Sequence, residues 1–308
     1  MNFLYIVNFA ILAAFLTLLI IEIGIALLSL FYYEGYREKL RKYILPIWEL
    51  DGTFGVFYIV NTAITYPTLV GALGIYFVPL FLIALFFILR TAFIAYSEYI
   101  GSNEKRYMQI YAISTLAIAA IAFSILDSAV SGIGINLTSS SANLVLLFIN
   151  PFNVGMIIGV TLISLYVTSH LLEIVQAARQ STYTLPIAYL FVIEGSWAYS
   201  QTFFSSILSH WYLLFASIIL LAIAVLMSYK KNRYAHWAAI LWLFIAINLY
   251  GLTLYPHIFG SANVIGFITT GALGTASLWI NLIGGIIVVI ALSYFIHLTY
   301  IRKSVAGY

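Results

Sequence analysis

Apolar residues run along this chain in long unbroken blocks, without the two-residue alternation of half-buried strands. Interruptions by charge, proline or glycine divide the blocks into nine candidate spans, at 3–31, 50–71, 75–97, 107–127, 151–176, 185–207, 211–229, 234–255 and 276–300. Runs of this length match a helix crossing the hydrocarbon core of a bilayer. Water-free hydrocarbon leaves a backbone to satisfy its own hydrogen bonds, and these runs are too long and too uniform for barrel strands, so the pattern predicts an all-α polytopic membrane protein. The weakest divisions fall at 71–74 and at Ser209–His210, where no charge forces the chain out of the apolar phase.

Basic residues give the spans a direction. Arg37, Lys39, Arg41 and Lys42 follow the first span, Lys105 and Arg106 the third, Arg179 the fifth, and Lys230, Lys231 and Arg233 the seventh; Arg302 and Lys303 end the chain. The loops after the second, fourth, sixth and eighth spans carry no Lys or Arg. Nine spans therefore put every basic loop on one side, and the positive-inside bias predicts an external N-terminus and a cytoplasmic C-terminus. The Ser-, Gly- and Asn-rich stretch 128–150 is expected outside. It separates a first helix bundle, 1–127, from a second, 151–308.

Composition narrows the function classes. The chain is 64% hydrophobic and 7% charged over 308 residues, too little polar surface to cover a water-soluble globule. The first apolar block has no basic leader or small-residue cleavage site and is about twice the length of a signal-peptide core, so it reads as a retained span. Without cysteine there is no disulfide, thiolate metal site or thioether haem attachment. The net charge of +3 resides in the short loops, where topology accounts for it, and nucleic-acid binding gains no support.

Ionisable residues inside spans are costly and are therefore the candidates for chemistry. Glu22 lies in the inner half of the first span, either on a proton relay or as a neutral hydrogen-bonding group. Glu49 and Asp51 open the second span, where carboxylates also suit a helix N-terminus. Arg90 is the one cation deep inside an apolar run; it must snorkel to the inner surface or find a carboxylate, and Glu49 or Asp51 should stand at matching depth. Glu22, Glu49, Asp51 and Arg90 are thus the proton-path candidates. Glu194 also falls within a span. His170 and Glu173 have the i, i+3 spacing that shares a helix face, in the reverse order to the E-x-x-H of di-iron bundles and without a second copy, so no metal site is expected. His170 and His297 are the candidate pair for a b-type haem or a polar network, although lone membrane histidines more often serve packing. No phosphate loop, nucleophile elbow or dinucleotide turn occurs in a usable context.

One set of motifs runs the length of the chain. Trp48-Glu49-Leu50-Asp51-Gly52 opens the second span, Tyr76-Phe77-Val78-Pro79-Leu80 starts the third, and Leu89-Arg90-Thr91-Ala92-Phe93 closes it; Asn150-Pro151-Phe152 opens the fifth, Ser169-His170 ends it, and Tyr255-Pro256 and Ala276-Ser277 precede the last. In order and spacing these resemble subunit II of cytochrome bd-type quinol oxidases. The family has Trp-Asp-Gly-Asn at the second span, so either Glu49 or Asp51 stands in for its aspartate, and Glu22 alone represents its two first-span aspartates. The resemblance implies two four-helix bundles plus a peripheral helix, in the plasma membrane of a prokaryote. It also implies a haem-bearing subunit I as partner, with haem b, haem d and the quinol site on that partner, and a share in proton uptake for this chain. It binds no cofactor itself on this reading, and its other contacts are lipid and quinone. The competing readings are the hydrophobic subunit of another quinol-oxidising cytochrome b complex, a secondary transporter, and a structural membrane scaffold in which Glu22, Glu49, Asp51 and Arg90 are dispensable.

Overall fold

The computed structural model of the chain describes residues 2–100, 103–136, 139–199, 201–230, 235–258 and 262–296. Helices dominate it: α1 (Phe3–Thr65), α2 (Pro67–Val70), α3 (Phe77–Tyr99), α4 (Glu104–Ser131), α5 (Leu144–Phe148), α6 (Pro151–Leu171), α7 (Val175–Tyr199), α8 (Gln201–Ser209), α9 (Trp211–Tyr229), α10 (Ala235–Leu254) and α11 (Gly271–Ile296). Two short antiparallel hairpins sit in loops, β1 (Ile135–Asn136) with β2 (Ser141–Ala142), and β3 (His257–Ile258) with β4 (Ala262–Asn263).

Six of the described helices are long and apolar enough to cross a membrane. The first does so twice. A straight helix of 63 residues would reach about 95 Å at 1.5 Å per residue, three times the hydrocarbon core. Non-helical torsions at Tyr32 and Tyr36 turn it back instead. Asn8 Nδ2 donates to Thr62 Oγ1 at 3.3 Å, and the Phe15 ring stacks on Tyr58 with centroids 6.5 Å apart, so the two arms run antiparallel. With α7 and α11, at 25 and 26 residues, the described part holds nine membrane-length rods.

Helix ends differ from the hydropathy boundaries for local reasons. The second arm stops at Thr65, not residue 71, because Pro67 lacks the N–H to continue it. At its other end it runs through the mixed charged and apolar residues 37–49 as helix, before the apolar span beginning at 50, with Pro46 accommodated inside. Helix α7 likewise starts ten residues before the apolar span beginning at 185. Hydropathy marks where lipid ends, and a backbone hydrogen-bond ladder has no reason to stop there.

The two arms of α1 pack with α4, which in turn packs on α3, while α6, α7, α9 and α10 form a second group. Tyr166 of α6 meets Trp242 of α10 edge-on, and Tyr189 of α7 reaches both Trp242 and Ser217 of α9. Small residues let α6 and α7 approach closely, Gly155 facing Gly195 and Gly159 facing Ala188. Helix α11 lies apart, its Gly284 against Phe57 on the second arm of α1. The first arm of α1 joins the groups: Thr168 Oγ1 donates to the Ile21 carbonyl at 2.9 Å, and Tyr5 O–H donates to the Gly251 carbonyl at 2.9 Å. Gly24 is required there, since a Cβ would lie 2.2 Å from Thr168 Oγ1 and 2.5 Å from the Ser164 carbonyl.

Loops collect at two ends. At one, Lys105 pairs with Glu34 at 3.2 Å, Lys39 Nζ donates to the Glu173 carbonyl at 3.0 Å, and Arg37 engages Glu104. At the other, Asn2 N–H reaches the Tyr255 hydroxyl, and Thr269 N–H donates to the Thr65 carbonyl at 2.9 Å. The described basic loops named here thus share one end with the fold's turn at 32–36.

Candidate functional site

Four side chains from four rods meet in the basic-end half of the first bundle. Glu22 comes from the first arm of α1, Asp51 from its second arm, Arg90 from α3 and Tyr111 from α4. Antiparallel pairing of the arms sets residue 22 opposite residue 51, just as it sets 8 opposite 62 and 15 opposite 58. Arg90 Nη1 donates to Glu22 Oε2 at 2.7 Å and approaches Asp51 Oδ2 at 3.4 Å. Tyr111 O–H donates to Glu22 Oε1 at 3.0 Å. Exposure is 0% for Glu22 and Tyr111, 1% for Arg90 and 3% for Asp51. The guanidinium carbon also lies 4.8 Å from the centroid of the Phe87 ring, a cation–π contact inside the membrane-spanning region.

Arg90 therefore does not snorkel. Its expected carboxylate partner at the start of the second span is present in Asp51, yet the shorter bond goes to Glu22. Glu49 stays out of the cluster. Two residues apart on a helix are about 200° apart around its axis, so Glu49 and Asp51 cannot face the same way. Asp51 points inward, and Glu49 is exposed at the helix surface.

The remaining candidates are dispersed. His170 lies in the last turn of α6, its Nδ1 2.8 Å from the Tyr166 carbonyl and its ring 4.4 Å from the Tyr166 ring. That geometry ties the imidazole to its own helix. The expected shared face of His170 and Glu173 does not form, because α6 ends at Leu171 and Glu173 adopts a left-handed φ of 53° that turns the chain. His297 lies outside the described residues. Glu194 is exposed beside Asn150 and Gly195. Among the described residues no group of three or more His, Cys, Asp and Glu is placed to hold a metal ion.

Two polar residues carry no clear sequence signal. Tyr111 is one tyrosine among 24, with nothing local to mark it. Asp127 ends an apolar run and reads as a span boundary, yet α4 continues to Ser131 and Asp127 is 4% exposed. It faces a largely apolar cavity of about 220 Å³ between the bundles, and its Oδ2 has no hydrogen-bond partner among the described residues.

A second cluster lies at the basic end, outside the membrane-spanning segments. Glu104, in the first turn of α4, accepts from Tyr33 O–H and from Arg37, whose Nε is 3.0 Å away, with Arg41 Nη1 at 3.6 Å. Burial opposes ionisation of Glu104, but the bonds from Arg37 and Tyr33 and the charges of both arginines outweigh it and hold the carboxyl below its ordinary range. This cluster clamps the α1 turn onto α4.

Comparison with known proteins agrees with this architecture. No match to a curated protein reaches significance. Seven chains of solved structures match. One is from the bd oxidase of Geobacillus thermodenitrificans, with 17% sequence identity, a TM-score of 0.76, and coverage of 97% of this chain and 99% of that one. At that identity the likeness establishes the fold, a polytopic all-α membrane protein. The family model described as cytochrome bd terminal oxidase subunit II matches residues 2–301, almost the whole chain. The chain belongs to the cytochrome bd terminal oxidase subunit II family.

Proposed function

We propose that this chain is the subunit of a bd-type quinol:oxygen oxidoreductase that supports the haem-bearing subunit I, and that its Glu22–Asp51–Arg90 cluster lies on a path taking up protons from the cytoplasm. The family belongs to a quinol oxidase complex, which supplies the reaction class. The observation that carries the proton assignment is the cluster itself: two carboxylates and one guanidinium, each at most 3% exposed, converging from three membrane-spanning rods. Buried ionisable groups within spans are expensive and characteristically mark ion and proton routes. Two carboxylates around one cation can exchange a proton between a neutral and an anionic state without moving the backbone.

The one-sided Lys and Arg distribution supports a cytoplasmic location for the turn at 32–36 and an external location for 128–150, in the plasma membrane of a prokaryote. It favours first and second bundles divided at that external segment. Haem ligation falls to the partner on this reading, as in the family, and the His170 ring, packed on Tyr166, serves the helix contacts of this chain. This chain's part would be to bind the partner, shield the cluster from lipid and hold its protonatable groups in place.

The test is oxygen-linked quinol oxidation by the assembled complex carrying Glu22→Gln or Asp51→Asn. At least a tenfold loss of turnover in one of the two, with normal assembly and haem content, is expected. Wild-type rates in both would remove the proton-path assignment and leave the subunit identity standing.

A further inference from the structure

The cluster contains two carboxyl groups and one guanidinium, and the guanidinium remains charged under any physiological condition. With both carboxylates ionised the site would hold a net negative charge in surroundings that solvate it poorly, whereas one bound proton makes it neutral. A proton therefore resides on one of the two. Hydrogen bonding distinguishes them.

Glu22 has a donor at each oxygen, Arg90 Nη1 at Oε2, 2.7 Å, and Tyr111 O–H at Oε1, 3.0 Å. An ionised carboxylate is acceptor-only, and this is the pattern that stabilises one. Reversing the Tyr111 bond to accept a proton from Glu22 would turn the phenol's own hydrogen toward Thr115 and leave Glu22 accepting one bond in place of two. Asp51 is served less well. Its Oδ2 stands 3.4 Å from Arg90 Nη1, beyond the usual range for an N–H···O bond, and its Oδ1 is buried with no hydrogen-bond partner among the described residues. Arg90 Nε and the indole Nε1 of Trp48 are buried and unpartnered as well. Trp48 precedes Asp51 by three residues and so shares its helix face, one turn nearer the basic end. No other titratable side chain bonds or pairs with the four among the described residues.

We infer that Asp51, not Glu22, carries the exchangeable proton of the cluster, and that Tyr111 is a positioning residue that keeps Glu22 ionised as the fixed counter-charge of Arg90. Loading forms an O–H bond on the Asp51 carboxyl with a proton delivered from water; unloading breaks that bond and returns the proton to water or to the next acceptor, with Glu22 and Arg90 keeping their charges. The site alternates between neutral and singly negative. This assignment deepens the proton-path reading and rests on it for its physiological meaning, but the protonation state is measurable without turnover.

Infrared difference spectroscopy of the assembled complex, exchanged between H₂O and D₂O, is the experiment. The samples are labelled with carboxyl-¹³C aspartate or carboxyl-¹³C glutamate, in an Asp127→Asn background that removes the other buried aspartate of the first bundle. The expected result is a protonated-carboxyl C=O band that moves with aspartate labelling and disappears in Asp51→Asn. In Asp51→Glu, a variant that retains the acid if the asparagine fails to assemble, the band should move with glutamate labelling instead. In Tyr111→Phe part of its intensity should transfer to a glutamate-labelled band, because Glu22 has lost the donor at Oε1; a purely packing role for Tyr111 would leave the partition unchanged. A cluster band that follows glutamate labelling with Asp51 intact overturns the assignment, as does a spectrum that Asp51→Asn leaves unaltered. Quinol oxidation in the same samples separates the two ideas. An aspartate band together with wild-type turnover in both Asp51→Asn and Glu22→Gln refutes the proton path and leaves the assignment standing.

Discussion

Removing Arg90 should cost far more than removing either of its carboxylate partners. In Arg90→Leu, Glu22 retains only Tyr111 as a donor and Asp51 loses its one nearby cation, so the cluster is left with buried acids and no counter-charge. Breaking a buried pair in this way typically costs about 3–5 kcal/mol, most of it the desolvation of the abandoned charge. In Glu22→Gln the guanidinium still has Asp51 at 3.4 Å, which can ionise to replace the lost partner, so a smaller loss of about 1–3 kcal/mol is expected. The double variant Arg90→Leu with Glu22→Gln removes the cation and the acid bonded to it most closely, and should be more stable than Arg90→Leu alone by about 1–3 kcal/mol. Denaturant unfolding of the detergent-solubilised complex, followed by tryptophan fluorescence across all four corners of this cycle, measures the coupling. Additivity of the two single effects within about 0.5 kcal/mol would refute the claim that Glu22 is the principal partner of Arg90. Repeating the cycle with Asp51→Asn in place of Glu22→Gln should give the weaker coupling; the opposite ranking would reverse the geometry argued above.

Gly24→Ala should weaken the union of the two bundles by about 1–3 kcal/mol and lower the yield of intact complex, and Thr168→Ala should not restore it fully, since the Ser164 backbone carbonyl also stands in the way; full assembly of Gly24→Ala would argue against this close approach. The clamp at Glu104 sets a pH dependence. Its carboxyl is held below the ordinary range in the folded protein, so its stabilisation is present above the unfolded-state value of about 4.3 and is lost as pH falls through the lower folded-state value. The thermal-midpoint difference between wild type and Glu104→Gln should accordingly shrink on acidification below about pH 4, and a difference constant from neutral pH down to pH 3 would contradict it. Orientation is open to accessibility labelling: single cysteines at Glu38 and Ser228 should react only from the cytoplasmic face and one at Ser141 only from outside, and the same sidedness for Glu38 and Ser141 would overturn the nine-span topology.

Different features of this protein were legible in the sequence to different degrees because different forces set them. Lipid solvation fixes the number and approximate position of the spans, and it acts through composition, which a sequence displays directly; the charged loops then order them. Rotation of each helix about its axis is another matter. Most of these rods are apolar all round, so no polar face announces which side turns inward, and rotation is settled by contacts such as Gly24 against Thr168 and Ser164. Glu49 and Asp51 illustrate the consequence, since both have the right charge and depth for Arg90 and only helix rotation selects Asp51. Depth alone likewise could not rank Glu22 above Asp51 as partner of Arg90, because that choice turns on a difference between 2.7 and 3.4 Å. Tyr111 was hidden for a related reason. In a bundle rich in tyrosine, one phenol gains a role only when the antiparallel turn of α1 and the docking of α4 bring it within 3.0 Å of Glu22. The charged members of the cluster were therefore recognisable by their cost in lipid, while the neutral residue that orders them became recognisable only through its hydrogen bond.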